Sequence, residues 1–155
     1  MKPALVQSDP GLVDAHLSLA LEAGQMGTWD WDLRTNRVVW SSTLERIHGL
    51  GPEHGSFGGT FEAFQRDIHP ADRERVLEII AQAVAGRAYE LEYRIIRPDG
   101  SIRWLEARGR LLHDRDGHPE RLIGVCSDIT ERKEATLRLA LSETFYSATL
   151  MSVAE

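Results

Sequence analysis

Residues 89–127 read YELEYRIIRPDGSIRWLEARGRLLHDRDGHPERLIGVCS, and this stretch decides the fold. It contains three strand-like runs, at 89–97, 102–113 and 121–127. The short segments PDG and DRDG separate the runs, and each has the composition of a type I turn closed by a left-handed glycine. Because connections this short join antiparallel neighbours, the stretch predicts a three-stranded antiparallel meander.

Alternating apolar and polar residues assign the two faces of the first two meander strands. One face is predicted to point inward and carries Tyr89, Leu91, Tyr93, Ile95, Leu105, Ala107, Gly109 and Leu111. The other face is predicted to point outward and carries Glu90, Glu92, Arg94, Trp104, Glu106 and Arg108. We interpret four of these charges, Glu92, Arg94, Glu106 and Arg108, as cross-strand pairs rather than as acid-base catalysts.

The sequence before the meander predicts a two-stranded hairpin. Residues 28–33 (TWDWDL) alternate large apolar side chains with polar ones, which is typical of a half-buried strand. Asn36 ends the turn that follows, and residues 37–40 form a returning strand. Since an isolated hairpin is marginally stable in water, we expect its strands to join the meander in one five-stranded antiparallel sheet.

Helical segments flank and interrupt these strands. Residues 12–23 predict an N-terminal helix, and shorter helical pieces are expected at 42–48 and 61–67. The longest internal helix is predicted to begin at Pro70 and to end at Gly86. Its inward stripe consists of Val76, Ile79, Ile80 and Ala83.

A charged helix is predicted at the C-terminal end, where the sequence reads TERKEATLRLALSETF. Thr130 is expected to cap this helix. Leu137, Leu141 and Phe145 lie along one side of it. So narrow an apolar stripe favours a partner helix over a domain core.

Four stretches in sequence order resemble the PAS domain family: GTWDWDL with WSS, IHPADR, EYRIIRPDGSIRWLEARG, and LIGVCSDITERKEA, the last being a PAC-type motif. The resemblance covers about residues 22–135 and implies an α+β PAS fold, with short helices and one longer helix on one face of the sheet. It divides the chain into an N-terminal flanking helix (1–24), a PAS domain (25–130) and an exit or signalling helix (131–155). This exit helix would lead toward a second PAS domain or an output domain.

The resemblance implies a sensory or relay module of a bacterial signalling protein of the histidine kinase or diguanylate cyclase type. Such modules form homodimers and pass a conformational signal to an output domain in the same chain. The family's pattern makes Asp128, Ile129 and Thr130 the junction between the last strand and the exit helix. If Asp128 holds a nearby basic residue, the junction forms a two-state latch.

A candidate ligand pocket lies between the predicted sheet and the longer helix. Its expected lining is almost wholly apolar: Trp29, Trp31, Ile47, Phe64, Val76, Ile79, Ile80, Tyr93, Ile95, Leu105, Ala107 and Cys126. These side chains are large enough to fill so small a space, since protein cores leave few voids. We therefore favour a filled core and a relay role, with a small-molecule or cofactor sensor as the alternative.

Neither of two cofactors known in the family is expected. The light-sensing branch of the family uses a cysteine before the longer helix to form a flavin adduct, and residues 61–73 contain no cysteine. The haem-binding branch places a ligating histidine on that helix, and residues 70–85 contain none. No cofactor is predicted, and an unidentified small ligand stays open.

The histidines do not predict a metal site. We interpret His69 as a capping or packing residue at the start of the longer helix. His48 and His54 lack carboxylate or cysteine companions at ligand spacing, and His113 and His118 flank a turn where water should solvate them.

Composition narrows the remaining functions. A net charge of -6 disfavours nucleic-acid binding and contact with an anionic membrane. The single cysteine, Cys126, suits a reducing cytoplasm, and its inward position favours a structural thiol over a redox switch. Nucleophile, phosphate-loop and metalloprotease motifs are lacking, so this segment is predicted to be non-catalytic.

Dimerisation is expected where the outer face around Trp104 meets the helix at 12–23 of its own or a partner chain.

Overall fold

A computed structural model describes residues 10–154. Its five strands are β1 (Met26–Asp32), β2 (Val38–Trp40), β3 (Tyr89–Ile96), β4 (Ile102–His113) and β5 (Pro119–Asp128). They form one sheet in the order β2-β1-β5-β4-β3, with every neighbouring pair antiparallel. The hairpin joins the meander through β1 and β5, so the predicted five-stranded antiparallel sheet is confirmed.

Within residues 10–154, five helices accompany the sheet: α1 (Pro10–Ala23), α2 (Ser42–Ile47), α3 (Phe61–Asp67), α4 (Pro70–Val84) and α5 (Thr130–Val153). The predicted α+β class and the order of elements are confirmed. Residues 1–9 of the predicted N-terminal segment, and Glu155, lie outside the described residues. Among residues 10–154 there is no helix whose length and apolar content would let it span a bilayer.

Side chains fix where the internal helices begin. Ser41 accepts a hydrogen bond from the backbone N–H of Leu44, at the start of α2. Thr60 caps α3 in the same way. His69 accepts from the N–H of Ala71, while Pro70 occupies the first turn of α4. The capping interpretation of His69 therefore agrees with the structure.

The core lies between the inner sheet face and the internal helices. Tyr89, Leu91, Tyr93 and Ile95 are buried on β3, as the alternation predicts. Leu91 and Tyr93 are paired with Ala107 and Leu105 of β4. Leu44 and Ile47 of α2 and Val76, Ile80 and Ala83 of α4 belong to the same buried cluster.

The terminal helices contrast with this core. Residues 11–20 of α1 are exposed, and so is every residue from 134 to 154. Within one chain α1 lies against β1. Trp104 instead faces two cations, Arg94 at 5.3 Å and Lys133 at 4.7 Å from its ring centroid. Within one chain, Trp104 is covered by residues of β3 and α5 and not by α1. Its packing against α1 of a partner chain stays a prediction.

Candidate functional site

A small cavity of about 40 Å³ lies inside the core. Its walls come from the sheet and from α2, α3 and α4: Trp29, Trp31, Val38, Trp40, Leu44, His48, Phe61, Phe64, Ile80, Tyr89, Tyr93, Leu122 and Cys126. Small-molecule sites usually enclose roughly 300–1,000 Å³. This cavity has room for a few water molecules.

The twelve predicted lining residues divide into two groups. Six of them contact the cavity: Trp29, Trp31, Phe64, Ile80, Tyr93 and Cys126. The other six do not line the cavity but pack in or against the surrounding core: Ile47, Val76, Ile79, Ile95, Leu105 and Ala107. The residues that sequence reasoning missed come mostly from β2, α2 and α3, which are too short to show a clear periodicity.

Aromatic rings occupy most of the space around the cavity. Trp31 stacks on Phe61 with ring centroids 4.5 Å apart, and Phe64 meets Tyr93 edge to face at 6.2 Å. Trp29 meets Tyr89 edge to face at 5.3 Å. These contacts are the arrangements that aromatic pairs prefer, so the rings hold one another in place.

A pair formed by the buried His48 and the partly exposed Asp67 also belongs to this site. His48 is 1% exposed, and its Nδ1 lies 2.8 Å from Oδ2 of Asp67. The His48 ring packs against Trp40, which stacks in turn on Phe57. Because α3 brings Asp67 to it, His48 has one carboxylate partner that the sequence spacing does not reveal.

The thiol of Cys126 lies at the cavity wall and is 1% exposed. Burial raises its pKa to about 12, although a hydrogen bond with Tyr93 acts in the opposite direction. Burial also raises the pKa of Tyr93 well above its ordinary value. Both groups are therefore neutral near pH 7, and Cys126 presents a thiol instead of a reactive thiolate.

The donor set does not fit a flavin adduct or a haem. Among the described residues, the cavity has Cys126 on β5 as its one thiol and His48 as its one imidazole. With Nδ1 of His48 engaged by Asp67, its Nε2 alone is left for a ligand. At about 40 Å³, the cavity in this conformation is far smaller than a typical small-molecule site.

One group in the described part of the chain has metal-ligand spacing: Asp114, Asp116 and His118, in the turn between β4 and β5. The Asp114 carboxylate accepts hydrogen bonds from the backbone N–H groups of Asp116 and His118, and it also pairs with Arg34. The hydrogen bonds that order this turn account for the position of Asp114.

The junction, residues 128–130, connects the end of β5 to α5. Oδ1 of Asp128 accepts hydrogen bonds from the backbone N–H of Thr130 at 3.0 Å and from its hydroxyl at 2.6 Å. Oδ2 of Asp128 accepts from Nε of Arg103 at 2.8 Å, and Arg97 lies 3.8 Å away. Burial acts to raise the pKa of Asp128, but the hydrogen bonds from Thr130 and Arg103 outweigh it, so the net shift is downward.

Thr130 also continues the sheet beyond its last strand pair. Its hydroxyl oxygen accepts a hydrogen bond from the backbone N–H of Trp104 at 2.9 Å, and the Trp104 carbonyl accepts from Ile129. The predicted capping role of Thr130 is wrong: Ile129 is the N-cap of α5, and no side chain bonds there. The hydroxyl is instead used to fasten the helix start to β4.

The first turn of α5 contacts the outer sheet face through a charged cluster. Glu92 on β3 lies directly opposite Glu106 on β4, where like charges destabilise a sheet. Arg132 bridges both carboxylates, at 3.0 and 3.2 Å. Lys133 also pairs with Glu92 while it covers Trp104. Of the four residues expected to pair across strands, Arg108 does so, with Glu90. The expectation is wrong for Glu92 and Glu106, which pair with α5, and for Arg94, which pairs with Asp72 of α4.

Three curated relatives are similar to this chain. The sensor protein FixL of Bradyrhizobium diazoefficiens is 29% identical over 139 residues, which cover 89% of this chain and 27% of that protein. The probable diguanylate cyclase DgcE of Escherichia coli is 29% identical over 140 residues, covering 90% and 12%. A blue-light-activated histidine kinase of Brucella ovis is 31% identical over 125 residues, covering 81% and 24%. The chain thus spans about a quarter or less of these relatives.

The fold and the sequence point to one family. A sensory box histidine kinase/response regulator from Burkholderia thailandensis has a solved structure with a TM-score of 0.72 and 28% identity, covering 86% of this chain and 98% of that one. The family model described as PAS fold matches residues 37–126, more than half of the sequence. The chain therefore belongs to the PAS fold family, whose relatives here are signalling sensor proteins.

Proposed function

We propose that this chain is a relay module of a cytoplasmic signalling protein, and that it passes conformational changes from its sheet into α5 through the junction. The observation that carries the proposal is that the Thr130 hydroxyl makes two hydrogen bonds, one as donor and one as acceptor. Its hydroxyl donates to Asp128 and accepts from the Trp104 backbone, so one side chain connects β5, β4 and the helix start. A shift in either strand must therefore move or release α5.

The charged cluster distinguishes two states of this junction, one with α5 docked on the sheet and one with α5 released from it. With α5 docked, Arg132 and Lys133 neutralise Glu92 and Glu106. With α5 released, the two carboxylates face each other without these cations, which costs free energy. This difference resists spontaneous release, and a strain in the sheet would have to overcome it.

The proposed parent is a longer protein of the histidine kinase or diguanylate cyclase type, in which α5 leads to the output domain. The relatives named above support such a parent. The module itself is proposed to be non-catalytic and to act as a homodimer. The apolar side chains exposed on α1 and α5 support dimerisation.

The competing function is a sensor that binds a small ligand. The buried His48 beside the cavity is the observation in its favour, since it offers one polar contact in an apolar space. Native mass spectrometry and an absorption spectrum of the purified protein separate the two functions. The relay proposal expects the mass of the bare chain and no visible absorption. A stoichiometric adduct would establish the sensor instead.

The relay is tested by Thr130→Val in the full-length parent protein, with the activity of its output domain as the measurement. Valine preserves the shape of threonine but removes both hydrogen bonds of the hydroxyl, so the output activity should shift to a new level. Thr136→Val is the matched control, because the Thr136 hydroxyl bonds only its own helix at the Arg132 carbonyl. Equal output activity in both variants and the wild type would eliminate the junction as the relay.

A further inference from the structure

We infer that Arg97 couples the end of α2 to the junction, so that a displacement of the cavity wall at His48 reaches Asp128. Arg97 acts through Asp128 and is therefore a positioning residue. The inference deepens the proposed function, because it adds the cavity wall to the sheet as a source of the signal. It rests on that function in one respect, since it takes the junction as the point at which a signal enters α5.

The Arg97 side chain reaches from the turn after β3 to two other parts of the molecule. Its Nε donates a hydrogen bond at 2.9 Å to the carbonyl of Ile47, the last residue of α2. Its Nη2 lies 3.8 Å from Oδ2 of Asp128. Both charged side chains are mostly buried, so water and salt screen this contact less than they screen a surface pair. One guanidinium group thus contacts both α2 and the junction.

The carbonyl that Arg97 binds is left over at the end of α2. The carbonyls in the last turn of a helix have no partner within the regular helical pattern. Those of residues 44–46 accept hydrogen bonds from the backbone N–H groups of residues 48–50. The Ile47 carbonyl accepts from the Arg97 side chain instead. Arg97 therefore completes the end of α2, where a cationic side chain is favourable.

The end of α2 is also part of the cavity wall. Ile47 belongs to the buried core, and His48 follows it in the chain. His48 lines the cavity and is held by Asp67 at 2.8 Å. Because the Ile47 carbonyl and the His48 nitrogen share one planar peptide unit, a movement of the His48 backbone displaces that carbonyl. Arg97 follows the carbonyl, and its distance to Asp128 changes.

Asp128 is placed to pass a movement of Arg97 on to α5. Its Oδ2 faces two cations, Arg103 at 2.8 Å and Arg97 at 3.8 Å. Its Oδ1 accepts from the amide and the hydroxyl of Thr130. Both oxygens belong to one rigid carboxylate group. A change in the cations around Oδ2 therefore turns Oδ1 relative to Thr130.

Gly49 allows this link to be perturbed from the α2 side. Its φ is 75°, and an added Cβ would come within 3.0 Å of Cδ and 3.2 Å of Cγ of Arg97. Gly55, in the same loop, is the matched control, because its φ is 80° and an added Cβ meets no atom within 4 Å. Alanine brings similar backbone strain at both positions. Only at Gly49 does it also displace Arg97.

Gly49→Ala should shift the Thr130 amide resonance in a proton–nitrogen NMR spectrum of the 155-residue chain. Hydrogen exchange of this amide should become about fivefold faster, because its bond to Asp128 weakens. Gly55→Ala should leave both quantities unchanged. In an Arg97→Met background, which has no guanidinium group, Gly49→Ala should have no further effect at Thr130. No effect of Gly49→Ala, an equal effect of the two alanines, or an effect that persists without Arg97 would overturn the inference.

The link is also testable from the junction, because a coupling free energy acts equally in both directions. Asp128→Asn should shift the amide resonance of His48, and the shift should vanish in the Arg97→Met background. Asp30→Asn is the control, since it breaks an ion pair of similar length, with Nε of Arg121 at 2.9 Å. An unchanged His48 resonance in Asp128→Asn would contradict the link even where the alanine variant does not fold.

These measurements separate the inference from the proposed function, since they read the chain without any output domain. An unchanged output activity in Thr130→Val would remove the relay, whereas the coupling between Arg97 and Asp128 would still be measured. Failure of the NMR tests would instead remove α2 as a source of the signal and leave the route through the sheet intact.

Discussion

Trp29 shows how the close approach of a ring to glycines in the sheet positions the cavity wall. Its ring lies against Gly124 of β5, where an added Cβ would come within 2.3 Å of Cζ2 of Trp29 and 2.1 Å of the Arg108 carbonyl oxygen. No side chain fits in this space. The glycine therefore lets the tryptophan lie on the sheet and close one side of the cavity.

Gly124→Ala should lower the free energy of unfolding by about 3 kcal/mol, because the new methyl group displaces Trp29 and overpacks the core. Urea denaturation followed by tryptophan fluorescence measures the change. Gly51→Ala is the control, since an added Cβ there meets no atom within 4 Å. Similar stabilities for the two variants would contradict the close approach.

Asp72 ties the start of α4 to the edge of β3, and it makes stability depend on pH. Its carboxylate accepts three hydrogen bonds from Arg94, two of them from the guanidinium group, at 2.7–2.9 Å. These bonds lower the pKa of Asp72 to about 2. The ordinary value is higher, so the stabilising contribution is complete above about pH 4 and disappears as the pH falls toward 2.

Asp72→Asn should lower the free energy of unfolding at pH 7 by about 2 kcal/mol, because the charged partner of Arg94 is lost. The difference from the wild type should shrink between about pH 4 and pH 2, as the wild-type carboxylate takes up its proton. Urea denaturation across this range is the measurement, with the exposed Asp116→Asn as control. A constant difference between wild type and Asp72→Asn over the whole range would refute the assignment.

Individual side-chain contacts around the cavity were the hardest features to predict. The pairing of His48 with Asp67 joins the ends of two short helices, and no periodic pattern in the sequence predicts this pairing. The same is true of Trp40 on Phe57, since Phe57 lies in a glycine-rich loop. Such contacts depend on how the loops fold over the sheet, and single-residue patterns carry no information about that.

At the scale of elements, the strands and the longer helix were predictable because each is long enough to show a period. Residues 89–127 fix three strands and their turns, and Asn36 adopts the left-handed conformation expected of it, with φ of 60°. The docking of α5 was not predictable. It depends on Glu92 and Glu106 being directly opposite each other, and that register becomes known only when the two strands are paired.

Lys133→Ala should weaken the docking of α5 by about 1 kcal/mol, because it removes the ion pair with Glu92 and the cation over Trp104. Salt at about 1 M should reduce the effect, since the pair is partly exposed. Urea denaturation of wild type and Lys133→Ala at low and at high salt measures both the loss of stability and its dependence on salt. Arg138→Ala, on the exposed part of the same helix, is the control. An effect of Lys133→Ala that equals this control would argue against docking through the cluster.

At the scale of the whole molecule, a packed core is combined with two exposed terminal helices. The core leaves a cavity of about 40 Å³, so a signal is more readily carried by strand movement than by a large bound ligand. The family resemblance found the fold and the position of the junction from sequence alone. It could not find the size of the cavity, because packing depends on every ring that enters it.

Hydrogen exchange at the junction, followed by NMR, tests the relay most directly. Asp128→Asn keeps the Thr130 hydroxyl but weakens the hydrogen bond to residue 128 that orients it. The backbone amides of Trp104, Ile129 and Lys133 should therefore all exchange faster, by a similar factor of about tenfold. Asp99→Asn is the matched control, since Asp99 accepts from Ser101 as Asp128 accepts from Thr130. Faster exchange at Ile129 or Lys133 with no change at Trp104 would mean that sheet and helix open independently, and would contradict the relay.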